Sequence, residues 1–435
     1  MARTMKDSGI EWIGMIPENW SIRKLKSIAK IQTGNTPDKN NAVFYSEEGM
    51  RWVKSDNLNG FIPVSDTVEK LSEEGVKVAR VASKGSTLVC CIGSIGKYGI
   101  IDEDMAYNQQ INAVTFNNDI VIDKFGSYLI SISESQHWLY ANGNVLKILN
   151  NEGQGKIVYA IPTILEQQKI VDFLDDRIGE VDTIISKTKA SIEEYKKYKQ
   201  AVITEVALGG LDKAVTTKNS GIDWIGNIPE HWKIKPFKFV MTERNEKNIP
   251  VKTDERLALS IDKGITTYAE KTTNLDRFKD DVTQYKLAYE GDLVFNSMNM
   301  IVGAIGYSNY FGCVSPVYYT YYDNAEGHYT SKYYEYIFRS KTMRKVLFSL
   351  GKGIMAIDRG DDKINTCRLK VSRDDLRCLK VPVPTEQEQQ EIVKYLDAKC
   401  VEIEVLIAKK EAFVEEMEAY KKSLIYEYVT GKKEV

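Results

Sequence analysis

The sequence predicts an α+β protein: two α/β domains in tandem, separated by two long helices that pair as an antiparallel coiled coil about a pseudo-twofold axis. Three observations carry that prediction. The chain repeats itself once. Each copy closes on a Pro-free stretch of more than forty residues with an apolar seven-residue repeat. The stretches before those tails alternate short β-rich runs with Gly and Asn turns.

The duplication is plainest at the two openings. Lys6–Lys26 reads KDSGIEWIGMIPENWSIRKLK and Lys218–Lys238 reads KNSGIDWIGNIPEHWKIKPFK, with 13 of 21 positions identical at a constant offset of 212. Glu166–Gly209 matches Glu388–Gly431 at an offset of 222, with 18 of 44 identical. Trp12, Trp20, Trp224 and Trp232 belong to the openings of both copies and are therefore read as framework anchors.

Each tail opens with a capping signature, Thr163 to Glu166 and Thr385 to Glu388, directly after Pro162 and Pro384. A Thr hydroxyl there can accept the N3 amide while the Glu reaches back to the cap amide. Gly209 and Gly431 suit the C-terminal stops. The seam runs Val171, Leu174, Ile178, Val181, Ile185, Thr188, Ile192, Tyr195, Lys199, Val202, Val206 in the first tail. In the second it runs Val393, Leu396, Cys400, Ile403, Ile407, Lys410, Val414, Met417, Lys421, Leu424, Tyr428. The polar breaks fall at equivalent places, Thr188 with Lys410 and Lys199 with Lys421. A repeat of 3.5 residues leaves a continuous seam that a partner helix must cover, and the simplest partner is the other copy. The link Gly210–Thr217 does not fix the direction of pairing, and two amphipathic helices each packed on its own domain remain the alternative.

The implied boundaries are residues 1–162 and 209–384 for the α/β domains, and 163–208 and 385–435 for the helices. Predicted strands include Thr87–Ile92, Gln110–Phe116, Leu293–Asn296 and Val314–Tyr322. The run Tyr318, Tyr319, Tyr321, Tyr322 is read as a strand packed on both faces. Gly85-Ser-Thr-Leu-Val89 faintly resembles Gly291-Asp-Leu-Val294; beyond that the middles differ.

Composition excludes several classes. Hydrophobic residues make up 43% of 435, which supports packed cores. No run approaches the roughly 18–20 apolar residues of a membrane span, and the start lacks an apolar signal core, so a cytoplasmic location is expected. The six cysteines form no C-x-x-C pair and are read as reduced thiols. Three scattered histidines, His137, His231 and His328, make a His-based catalytic or metal site an unpromising reading. No G-x-x-x-x-G-K-[ST] loop occurs. Ser315-Pro-Val-Tyr318 lacks the Asn and one Pro of an adenine methyltransferase motif. No catalytic residue, metal ligand or cofactor of its own is assigned to the chain.

The net charge of −2 is distributed unevenly: residues 209–384 carry 27 Lys and Arg against 22 Asp and Glu, residues 1–162 carry 17 against 18, and both helices are acidic. This is permissive for binding nucleic acid. Groove readout uses Arg or Lys on guanine and Asn or Gln on adenine, so the candidates are polar and basic turns. In the first domain they are Asn35, Thr36, Lys39, Lys54, Ser55, Asn57, Asn108, Gln109, Asn144 and Lys147. In the second they are Lys263, Asn296, Asn299, Lys352, Arg359 and Lys363.

The two-copy plan resembles the specificity subunit of type I restriction–modification systems. The residues that carry the likeness are the G-I-[DE]-W-I-G-x-I-P-E-x-W openings, Gly9–Trp20 and Gly221–Trp232, and the P-x-x-x-E-Q helix entries at Pro162–Gln167 and Pro384–Gln389. The resemblance implies that each α/β domain is a target-recognition domain reading one half of a bipartite, asymmetric double-stranded DNA site. It implies that the helix pair sets the spacing and docks two modification (methyltransferase) subunits, with restriction/translocase subunits joining them. S-adenosylmethionine, ATP and Mg then belong to those partners, and this chain is non-catalytic. The rival readings are a DNA methyltransferase or nuclease with an unrecognised site, and a structural coiled-coil scaffold.

Overall fold

The computed structural model describes residues 3–261, 263–271, 281–323, 329–354 and 368–435. It divides into two compact units: residues 1–189 with 412–435, and residues 190–411. The units therefore cut across the linear boundaries. Each combines one α/β domain with a piece of both long helices.

In the first unit an antiparallel sheet has the order β3-β2-β4-β1, built from β1 (Ala29–Thr33), β2 (Thr87–Cys90), β3 (Tyr98–Ile100) and β4 (Ile111–Phe116). The register places Val114 opposite Ile31 and Asn112 opposite Val89. Helix Asp123–Ser131 packs against this sheet through Phe125 and Leu129, in one core with Val89, Val114 and Phe116. A second, five-stranded sheet includes the buried Trp52 strand Met50–Val53, paired in parallel with Met105–Tyr107.

In the second unit β5 (Thr242–Arg244), β6 (Leu293–Asn296), β7 (Ile305–Tyr307) and β8 (Tyr318–Tyr322) form an antiparallel sheet of order β7-β6-β8-β5. That is the order of the first sheet, strand for strand. Helix Tyr329–Arg339 covers it as Asp123–Ser131 covers the other, with Ile337 and Phe338 against Phe295 and Tyr321. The middles thus share a frame that the sequence conceals. Gly85-Ser-Thr-Leu-Val89 and Gly291-Asp-Leu-Val294 lead into the equivalent strands β2 and β6. The expected strand Val314–Tyr322 is two strands, Gly312–Val314 and β8. Pro316 lacks the amide a ladder needs, and the chain turns there, with Tyr318 N–H donating to Ser315 O at 3.0 Å.

The openings fold alike. Met5–Asp7 pairs with Met15–Pro17, and Thr217–Asn219 with Asn227–Pro229. Their turns place Gly9, Gly14, Gly221 and Gly226 at φ near +70°, where a Cβ is strained, which explains the repeated G-I-x-W-I-G spacing. Trp20 and Trp232 are each only 1% exposed. Trp12 and Trp224 are half-buried against the same cores.

The first long helix spans Ile164–Gly209 and the second Glu386–Val429. The left-handed glycine that ends the first is Gly210, one residue beyond the expected Gly209, which is still helical. Within the first unit Asp182 meets Lys421 at 2.6 Å, Lys189 meets Glu418 at 3.0 Å, and the Phe173 and Tyr428 rings stand 4.5 Å apart. Within the second unit Lys199 pairs with Glu404, and Lys410 lies 5.6 Å from the Tyr195 ring. In both, numbers rise along one helix as they fall along the other, so the pairing is antiparallel. Applying the 222 offset to Asp182–Lys421 gives Glu404–Lys199, so each unit holds the equivalent ion pair. The seam positions Leu174, Ile178, Ile192, Leu396, Ile403 and Val414 are buried.

The two helix entries show what P-x-x-x-E-Q does. Gln167 is fully buried; its Nε2 donates to Ile120 O at 2.8 Å and Pro162 O at 3.1 Å, and its Oε1 accepts from Ile122 N–H at 3.0 Å. Gln389 Nε2 likewise donates to Pro384 O at 3.1 Å. The reciprocal capping box is complete only in the second helix, where Thr385 N–H donates to Glu388 at 3.0 Å. In the first, Glu166 pairs instead with Arg3. Among the described residues no helix is long and apolar enough to cross a membrane.

Candidate nucleic-acid interface

The first unit gathers its candidate turns around Trp52. Trp52 Nε1–H donates to Asn35 O at 3.3 Å, and the ammonium groups of Lys39 and Lys54 lie 5.8 and 5.1 Å from the ring centroid. Thr36 Oγ1–H donates to Gln109, which joins segment 33–39 to segment 107–110. Asn108 N–H donates to Val53 O at 3.0 Å, which joins both to the Trp52 strand.

Several of these side chains are committed to their own backbone. Asn35 donates to Val78 O at 2.8 Å and accepts from Arg80 N–H at 2.7 Å. Asn57 accepts from Lys54 N–H at 2.9 Å. Asn108 is buried and accepts from Gln110 N–H at 3.1 Å. Lys54 pairs with Glu69, and the Ser55 carbonyl takes the Lys97 ammonium at 2.9 Å. Gln109 and Lys39 reach solvent.

Asn144 and Lys147 occupy a separate exposed loop. Its neck is closed by Asn142 and Ile148, which exchange backbone bonds of 2.8 and 2.9 Å. Leu149 N–H then donates to Cys91 O at 2.9 Å, so the loop returns onto the turn that leaves β2. The second unit repeats this contact: Val371 N–H donates to Ser297 O at 3.2 Å, in the turn that leaves β6. Leu149 and Val371 are 222 apart, and Cys91 and Ser297 occupy the same place after equivalent strands. Each frame therefore presents a strand-exit turn beside a returning loop. The segments differ in length, nine residues in 141–149 against 21 in 351–371, of which 355–367 lie outside the described residues.

The described candidates of the second unit cluster at that edge. Asn296 is buried at the end of β6; it accepts from Met298 N–H at 3.1 Å and donates to Tyr318 Oη at 3.4 Å. Asn299, exposed, leads into the turn Met300–Val302. Lys352 begins the returning loop and meets Asp375 at 3.1 Å. Lys263 is exposed beside Ile261, whose carbonyl accepts from Arg339 at 2.9 Å. Arg359 and Lys363 lie outside the described residues.

Sequence reasoning passed over Lys341, Arg344 and Lys345, on the helix Lys341–Leu350 that packs on Met300 and Ile301. The available signal was the stretch 336–357, which holds five Lys and Arg and no carboxylate. Among the described residues no group of three His, Cys, Asp or Glu is placed to hold a metal ion. His137 is fully buried and burial lowers its pKa to about 4, so it is neutral near pH 7 and sealed from any substrate.

Comparison with known proteins agrees with this architecture. Residues 17–194 match the family described as type I restriction modification DNA specificity domain. The type I restriction enzyme MjaIX specificity subunit of Methanocaldococcus jannaschii is 24% identical over 247 residues, 55% of this chain and 50% of that protein. Several of the curated relatives are thus matched over about half their length. A further protein of that organism, provisionally named the MjaX specificity subunit, is 23% identical over 97% of this chain and 95% of its own length. A solved chain from work on complex assembly and conformational transition of the type I R-M system superimposes with a TM-score of 0.68 at 14% identity, covering 96% of this chain and 99% of that one, a likeness of fold. Residues 17–194 thus match a type I restriction modification DNA specificity domain, and nearly the whole chain is similar to a specificity subunit of a type I restriction enzyme.

Proposed function

We propose that the chain is the sequence-specific DNA-binding subunit of a cytoplasmic type I restriction–modification complex. Each α/β domain reads one half of a bipartite, asymmetric site in double-stranded DNA. The long helices set the spacing between the halves and dock the modification subunits. The chain performs no chemistry; S-adenosylmethionine, ATP and Mg act in its partners.

The observation that carries this reading is one frame used twice with unlike edges. The sheets, covering helices and loop necks repeat, while the returning loops and the segments around Trp52 do not. A reader of two different half-sites needs constant scaffolding and variable contact residues. The acidic helices suit protein docking better than DNA, because like charges repel phosphate.

The test is to express the chain with the modification subunit encoded beside it and sequence the methylated adenines of the host DNA. The expected result is a single bipartite motif with a fixed gap. Methylation scattered without a motif, or transfer of labelled methyl groups by the purified chain alone, overturns the reading.

A further inference from the structure

We propose that helix Lys341–Leu350 grips the DNA backbone for the second unit, with Lys341, Arg344 and Lys345 contacting phosphates beside the turn at Asn299. The proposal rests on the DNA-binding reading and adds the element that supplies its sequence-independent affinity.

The helix is amphipathic. Met343 and Leu347 are fully buried in the core with Met300 and Ile301, while Lys341 and Lys345 are exposed on the other side. Arg344 lies between, its Cδ 3.5 Å from the place a Cβ would take on Gly303. None of the three has an ion-pair partner among the described residues. Nothing on the helix offsets their charge, since its first turn holds no acidic residue. Lys341 and Lys345 are a like-charged i,i+4 pair, and cations in a first turn oppose the helix dipole. Among the described residues this repulsion is uncompensated, and an anion laid along the exposed face relieves it.

The position also fits. The helix packs on the turn that follows Asn299, and Lys263 stands on the segment whose Ile261 side chain touches the same Gly303 corner. A backbone grip there holds the strand-exit turn against the duplex. The equivalent helix of the first unit, Glu134–Tyr140, holds no Lys or Arg. The grip thus belongs to one unit, in keeping with the basic excess of residues 209–384.

The experiment measures binding of the full-length chain to a random-sequence duplex and to a duplex bearing the mapped methylation site, from 50 to 200 mM salt. Lys341→Gln with Lys345→Gln is the main variant; it spares the partly buried Arg344, and thermal melting verifies its fold. Each lost phosphate contact lowers the slope of log affinity against log salt by about 0.9, so the double variant loses about 1.8. Its deficit then shrinks about tenfold across that salt range, equally for both duplexes. Lys233→Gln with Lys235→Gln, two exposed lysines on the strand Lys233–Pro236, is the control and keeps the wild-type slope. A double variant with the wild-type slope, a control that falls as far, or a loss confined to the mapped site overturns the assignment of this helix. A wild-type chain that binds neither duplex overturns the DNA-binding reading itself.

Discussion

Replacing His137 by leucine tests the buried architecture of the first unit with a single titration. The ring is wholly buried, with Nδ1 3.4 Å from the place a Cβ would take on Gly96, and neither ring nitrogen has a hydrogen-bond partner among the described residues. Burial lowers the pKa from 6.5 to about 4. Between those values the unfolded chain binds a proton that the folded chain refuses. The stabilisation is therefore complete above pH 6.5 and is lost as pH falls toward 4. A gap of that size corresponds to on the order of 3 kcal/mol, a large share of the stability of a typical domain. Leucine has no proton to bind and removes two unpaired polar atoms, so H137L is expected to equal or exceed the wild type at pH 7.5. The assay is urea unfolding at several pH values, with amide hydrogen exchange in residues 123–160 as the local readout. The stability difference between H137L and wild type should widen by on the order of 3 kcal/mol from pH 7.5 to pH 4. A difference that stays constant over that range refutes the burial of a neutral imidazole.

Three further outcomes follow from the same geometry. Gln167→Leu strands two carbonyls and one amide inside the first unit and should cost about 2–3 kcal/mol by thermal or urea unfolding; Gln389→Leu, which breaks one bond from a side chain whose Oε1 is already unpaired, should cost less. Leu174→Ala or Leu396→Ala should cost about 2–5 kcal/mol, whereas Lys421→Ala, in a pair with half-exposed Asp182, should cost under about 1 kcal/mol; the reverse ranking would show that ion pairs rather than apolar layers hold the helices. Removing 187–193 and 410–416 together keeps the seam in register and shortens each helix by about 10 Å, so the gap in the methylated motif should shrink by about three base pairs of 3.4 Å rise; an unchanged gap refutes the spacing role.

The helix entries show how local electrostatics distinguishes two nearly identical sequences. Glu388 is held down at about pKa 2: burial opposes its ionisation, but hydrogen bonds from Trp232 Nε1–H, Thr385 and His231 outweigh it. Its contribution to stability is full above the ordinary carboxylate range and fades as pH falls toward 2. Glu166, its counterpart, is engaged by Arg3.

The sequence by itself determined the duplication, the two long helices and the seam that buries them, because those signals are local or periodic. A 3.5-residue repeat marks a covered face whatever covers it, and G-I-x-W-I-G fixes its turns through the φ values of its own glycines. Pairing direction was decided only in three dimensions, since parallel and antiparallel helices bury the same residues; contacts such as Asp182–Lys421 and Lys199–Glu404 settle it. The shared sheet order was equally out of reach. Ladders join strands far apart in the chain, and β2 and β6 can keep one frame with little more than Gly, Leu and Val in common. The candidate contact residues were legible only as a pool of polar turns. The fold commits Asn35, Asn57, Asn108 and Asn296 to nearby backbone or side-chain groups, and it places Lys341, Arg344 and Lys345 beside the turn at Asn299. Side-chain hydrogen bonding and packing depend on neighbours that only folding brings together, so the tertiary structure alone separates residues that hold the frame from residues that face outward.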